Sequence, residues 1–224
     1  MAPRSALRWW AVPVLLALIA VVALLWPRWT DPSTRYVVPA AELAQAQSSL
    51  ASLAVKGRAP TTGYERELFG DGWAEGDDGC STREAVLARD LTDLTLDGCT
   101  VLRGTLLDPY TGETIAFERG PDSADVQIDH VVALSDAWQK GAQQWPADRR
   151  IQFANDPLNL LAVDGAANQA KGAGDAATWL PPDRGYRCAY AIRQVGVKAR
   201  YGLWVTAAEG EALRRELGRC VTVP

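Results

Sequence analysis

Val126-Gln127-Ile128-Asp129-His130-Val131-Val132 is followed by Leu158-Asn159-Leu160-Leu161-Ala162-Val163 and then by Asn168-Gln169-Ala170-Lys171-Gly172. The first two runs are apolar and β-branched, and turn residues bound them, so each reads as a strand. The third reads as a short helix, capped by Asp164 and stopped by Gly172. His130 is the single histidine of the 224 residues. An imidazole titrates near the working pH range, so His130 is the natural base to activate a water molecule. The Asp129 carboxylate and the Asn168 amide oxygen are donors of the kind that Mg²⁺ or Mn²⁺ takes. Neighbouring residues on a strand point to opposite sides, so Asp129 and His130 share a site only where the strand ends or twists.

Around this centre the chain alternates helices and strands. Upstream, leucines at helical spacing predict a helix over 40–55, and Gly57, Pro60 and Gly63 predict a loop after it. Ser81 or Thr82 caps a helix running to residue 91. A strand over 99–107, the turn Asp108-Pro109-Tyr110-Thr111-Gly112-Glu113 and a strand over 114–118 make a hairpin. Downstream, helices are expected over 136–145, 147–154, 186–201 and 207–217, with a strand over 203–206. The helix over 136–145 has no role in the chemistry, and the arginine-rich tail that includes Arg187, Arg193, Lys198 and Arg200 reads as a basic surface.

Residues 9–26 carry no charge and lie between Arg8 and Arg28. A bilayer span takes about 20 apolar residues, so 1–30 reads as a signal anchor, slightly preferred over a cleaved signal peptide. Either places the rest outside the cytoplasm, with the membrane as partner if the segment stays uncleaved. Residues 31–63 form a linker and helix, and 64–224 the main domain. The net charge of −4 excludes a globally basic nucleic-acid coat protein, although not an enzyme that visits its substrate. Cys80, Cys99, Cys188 and Cys220 contain no C-x-x-C pair, which argues against structural zinc. In an exported chain they form two disulfides, with three connectivities open. Cys80–Cys99 with Cys188–Cys220 is favoured because each pair closes one subregion.

Asp129-His130, Asn159 and Asn168 with Lys171 together resemble the HNH endonuclease motif of the ββα-metal superfamily. Within it the chain is similar to exported, actinobacterial-type HNH proteins. The similarity adds Thr82-Arg83 with Arg89-Asp90, the Asp108-Pro109-Tyr110-Thr111-Gly112 turn, Ala154-Asn155-Asp156 and Trp179-Leu180-Pro181-Pro182. It spans roughly 64–220. The resemblance implies an α+β fold in which an HNH-type ββα-metal core sits inside one disulfide-stabilised domain, preceded by the N-terminal transmembrane or signal helix. It implies a metal-dependent phosphodiesterase with His130 as general base. Asn159 would hold the loop that orients His130, Asp129 and Asn168 would ligate Mg²⁺ or Mn²⁺, and Lys171 and Arg83 would contact substrate phosphate. The substrate would be nucleic acid, DNA first, with no obligate protein partner. Two rivals remain on the sequence alone: a catalytically silent HNH-like module serving binding or envelope structure, and an envelope hydrolase using paired acids.

Overall fold

The computed structural model describes residues 36–223; the signal or anchor segment expected over 1–30 lies outside them. Among the described residues no helix is long and apolar enough to cross a membrane. The fold mixes helices with small sheets. β1 (Val38–Pro39) runs into α1 (Ala40–Ser52). After a loop and a short 3₁₀ turn at Arg66–Phe69 comes α2 (Thr82–Asp90), then β2 (Leu91–Asp97), β3 (Thr100–Leu107) and β4 (Thr114–Glu118). β5 (Val126–His130), α3 (Leu134–Gln139), α4 (Ala147–Ala154), β6 (Leu160–Asp164) and α5 (Gly165–Lys171) follow. α6 (Arg187–Tyr201), α7 (Ala207–Leu217) and β7 (Thr222–Val223) complete it. β2-β3-β4 form one antiparallel sheet, β5-β6 an antiparallel pair, and β1-β7 a short parallel pair.

Local chemistry explains most boundaries. Ser81 caps α2 by accepting from the Glu84 N–H, and Asp164 caps α5 by accepting from Ala167 N–H at 2.7 Å. α7 starts with a reciprocal capping box between Thr206 and Glu209. Gly165 opens α5 because a Cβ there would collide with the Ala124 carbonyl.

Three expectations need correction. The helix over 136–145 is shorter: α3 ends at Gln139, and Gly141 at φ +133° breaks the chain before a 3₁₀ turn at Ala142–Gln144. Ala133 holds the N-cap position without a side-chain hydrogen bond. The strand over 203–206 is a single parallel bridge between Val205 and Val55, because Trp204 N–H is taken by the Lys140 carbonyl. β2 had no counterpart in the sequence reading. Its register shifts at Thr92–Thr95, where Asp93 has φ +52°, and this bulge breaks the two-residue alternation that marks a strand.

The segment before residue 64 is part of the packing. Val38, Ala46 and Leu50 share a buried cluster with Ala191, Val195 and Leu213 of α6 and α7. The cysteines pair as favoured, Cys80–Cys99 with Cα atoms 5.4 Å apart and Cys188–Cys220 at 5.2 Å. The first ties the start of α2 to the β2–β3 turn, the second the start of α6 to the chain's end.

Much of the basic tail is tied into the fold, while Arg200 stays exposed beside Asp156 at 3.2 Å. Lys198 is fully buried and meets Asp136 and Glu209, each at 2.8 Å. Arg193 donates to the carbonyls of Pro157, Leu158 and Leu160, and Arg187 to that of Pro181. Lys140, also fully buried, lies 2.6 Å from Asp136, 2.8 Å from Asp175 and 2.6 Å from Glu209. Arg58 closes the group from the loop before α2, bridging Asp136 and Asp175. Three cations and three carboxylates from the pre-α2 loop, α3, the loop after α5, α6 and α7 thus compensate one another. α3 joins four parts of the chain through this network. Such a network breaks badly when one member is removed, because the remaining charges stay buried.

Candidate active site

β5 and β6 pair in antiparallel register, with Asp129 opposite Leu161 and His130 opposite Leu160. α5 packs against both strands. Strand alternation divides the site residues between two sides. Val126 and Ile128 join the buried cluster of Val86, Leu87 and Leu160. Gln127 and Asp129 reach α5 instead, through Asn168 and Lys171.

Asn159 sits just before β6 and is fully buried. Its Oδ1 accepts from Val132 N–H at 2.8 Å, and its Nδ2 donates to the Val132 carbonyl at 3.2 Å. Its own carbonyl accepts from Val131 N–H at 2.7 Å. The chain leaving β5 is therefore pinned at both residues that follow His130.

His130 is 6% exposed. Its Nε2 lies 2.8 Å from the carbonyl oxygen of Ala154, at the end of α4. A carbonyl only accepts, so Nε2 carries the proton and Nδ1 holds the free lone pair. Burial pulls the imidazole down from 6.5 to about 4. The Ala154 hydrogen bond and the Asp129 charge work against that shift, and Arg66 and Lys171 add to it. The ring is neutral at physiological pH, the form in which it can take a proton. Trp73 stacks on it, with ring centroids 5.7 Å apart and planes 13° from parallel. His130 and Trp73 line a cavity of about 260 Å³ together with Arg66, Phe69, Asp71 and Leu134. Arg66 is exposed and makes no ion pair among the described residues.

On the opposite side, Asp129 accepts from Lys171 Nζ at 2.9 Å through Oδ1 and from the Tyr110 hydroxyl through Oδ2. Burial, with the Asp129 charge beside it, pushes the Tyr110 hydroxyl well above its usual range, so it remains a donor. Lys171 also donates to the His130 carbonyl at 2.8 Å. Its side chain is fully buried, so its ammonium holds β5 to α5 from inside the fold. Asn168 is half-buried and donates through Nδ2 to Gln127 at 2.9 Å. Arg83 is half-buried on α2, where burial lowers its pKa, and it has no ion-pair partner among the described residues. Its helix neighbours are structural. Glu84 accepts from Val101 N–H and Arg119, and Asp90 accepts from Ala162 N–H and Arg89.

Sequence reasoning missed Trp73, Arg66 and the Ala154 carbonyl, which surround His130. Tyr110 was visible only as a turn residue. That turn is locked by Asp108, whose Oδ2 accepts from Thr111 and whose Oδ1 accepts from Asp164 N–H at the end of β6. The turn thereby delivers the Tyr110 hydroxyl to Asp129.

A family model described as "GmrSD restriction endonucleases, C-terminal domain" matches residues 82–216, from the start of α2 to near the end of α7. A relative from Arthroderma benhamiae named "Uncharacterized secreted protein" is 40% identical over 209 residues, covering 92% of this chain and 97% of that protein. No solved structure matches.

Proposed function

We propose, for a chain that belongs to the family of GmrSD restriction endonuclease C-terminal domains, that it is an extracytoplasmic nuclease. It hydrolyses nucleic-acid phosphodiester bonds, DNA first, with His130 as general base. The family is a nuclease family; the acting residues, the metal and the location are the proposal. The observation that carries it is the fixed imidazole. Nε2 is committed to the Ala154 carbonyl at 2.8 Å, and the ring borders a cavity.

In this reading a phosphodiester lies at the end of β5. His130 Nδ1 takes a proton from the attacking water. The negative phosphate beside the ring favours imidazolium and raises the base strength of a group that burial has weakened. In-line displacement puts the attacking and leaving oxygens on opposite sides of phosphorus. Asp129 lies on the other side of the strand from His130, so the two side chains meet one phosphodiester only around the strand's end at His130. Lys171 holds the Asp129 carboxylate and the His130 carbonyl together, and Asn159 keeps the following loop closed.

Asp129 and Asn168 offer oxygens of the kind a hard divalent cation takes, with the Lys171 ammonium 2.9 Å from Asp129 already offsetting part of its charge. A carboxylate offers about four lone-pair sites, of which Lys171 and Tyr110 take one each. Asn168 commits its Nδ2 to Gln127, which leaves its Oδ1 as a donor. Asp129 and Asn168 would thus hold Mg²⁺ or Mn²⁺, which keeps waters around few protein oxygens. Bound there, the ion would stabilise charge on the phosphate and the leaving oxygen. Arg83, half-buried on α2 without an ion-pair partner among the described residues, is proposed as a phosphate contact. The location outside the cytoplasm is supported by two disulfides, which persist in oxidising compartments.

The test is plasmid cleavage in Mg²⁺, in Mn²⁺ and in chelator. Cleavage that needs the metal supports the proposal. Cleavage that persists in chelator removes the metal role, and no cleavage in either metal sinks the nuclease reading.

A further inference from the structure

We propose that Trp73 is a positioning residue for His130, held over the imidazole by a hydrogen-bonded clamp that Asn155 makes on Ala74. The proposal rests on the reading of His130 as the base.

The indole and imidazole lie nearly parallel, with ring centroids 5.7 Å apart and planes 13° from parallel. Trp73 also packs on the apolar cluster of Val86 and Leu87. Its neighbour Ala74 is fixed through both backbone polar groups. Ala74 N–H donates to Asn155 Oδ1 at 2.9 Å, and the Ala74 carbonyl accepts from Thr82 N–H at 2.8 Å and from the Thr82 hydroxyl at 3.0 Å. Asn155 spends its other end on the Ile151 carbonyl, 3.0 Å away, so its carboxamide is itself locked to α4.

Ala154 and Asn155 are consecutive. The Ala154 carbonyl fixes where Nε2 points, and the Asn155 side chain fixes the residue that carries the covering ring. One helix end therefore sets two separate degrees of freedom of the imidazole. A single hydrogen bond leaves a ring free to tilt about that bond. A stacked indole removes that tilt from a ring that borders the cavity. Catalysis is sensitive to such placement, because a displacement of about 1 Å can cost about a hundredfold in rate.

The full chain tests this, as wild type and as Trp73→Ala, Trp73→Phe and Asn155→Ala. His130 is the only histidine, so ¹⁵N labelling of histidine gives one set of ring signals. At pH 7 these report the tautomer and, by relaxation, the order of the ring. For wild type the expectation is one Nε2–H tautomer and an ordered ring. Trp73→Ala should give a mobile ring or mixed tautomers, with kcat on DNA falling about a hundredfold at little-changed KM. Trp73→Phe should recover most of both, and Asn155→Ala should move in the same direction as Trp73→Ala. A Trp73→Ala protein with an ordered single-tautomer ring and kcat within about twofold of wild type overturns the proposal. If Trp73→Ala loses its near-ultraviolet circular dichroism, Asn155→Ala decides: a looser ring supports the clamp and an unchanged ring overturns it. If wild type cuts no nucleic acid, the nuclease reading fails, and the ring signals alone still decide the positioning.

Discussion

The Asn159 carboxamide pairs with both backbone polar groups of Val132, accepting from its N–H at 2.8 Å and donating to its carbonyl at 3.2 Å. The contact imitates a rung of sheet across the loop that follows His130. Replacing Asn159 with Ala leaves a buried donor and a buried acceptor unpaired, at about 1–3 kcal/mol each. The expected loss is about 2–6 kcal/mol in denaturant melts, with a looser strand end under hydrogen exchange. A midpoint equal to wild type would mean that the loop is held by something else.

Lys171→Met tests the Asp129 side. It leaves Asp129 with only the Tyr110 hydroxyl and strips the His130 carbonyl of its donor. Breaking a buried pair costs about 3–5 kcal/mol. If Asp129 and Asn168 hold a divalent ion, Mg²⁺ should restore part of that loss and raise the variant's melting temperature more than the wild type's. Equal Mg²⁺ shifts in the two proteins would argue against ligation by Asp129.

The buried network predicts an acid limb to stability. Burial alone would raise the Asp136 carboxyl, but Lys198 and Lys140 outweigh it and hold the pKa at about 2. The unfolded value is about 3.9. A depressed carboxylate gives stability that is present above the unfolded pKa and lost as pH falls through the folded one. Between pH 4 and 2 the protein should therefore lose on the order of 2 kcal/mol from this group. Asp136→Asn should flatten that limb while lowering stability at neutral pH. A wild-type unfolding free energy that stays level from pH 4 to 2 would contradict the network's role.

The disulfides close loops with sequence separations of 19 and 32, each worth on the order of 3 kcal/mol. Reductant should lower the melting temperature of wild type and barely affect a variant with all four cysteines changed to Ser. Wild type that melts at the same temperature with and without reductant would deny them that role.

Much of this molecule was legible because its signals are local. α7 was read over 207–217, the bounds it has, and α5 followed from Asp164 and Gly172. Asp129-His130 fell on a strand end and Asn168-Lys171 on a helix as read, whereas Asn159, read as part of the second strand, stands just before it. What was not legible depends on distant partners. Lys198 looks like any cation on an amphipathic helix until Asp136 and Glu209 close around it. Trp73 carries no local mark of its contact with His130. The β2 bulge at Asp93 and the break at Gly141 each interrupt a period that the eye extends.

The central claim is that His130 acts as the base of a nuclease. The most direct measurement compares plasmid cleavage in Mg²⁺ by wild type and by His130→Ala, with circular dichroism confirming that both are folded. The account predicts cleavage by wild type and a loss of at least about a hundredfold in the variant. Equal cleavage by a folded His130→Ala protein would contradict it.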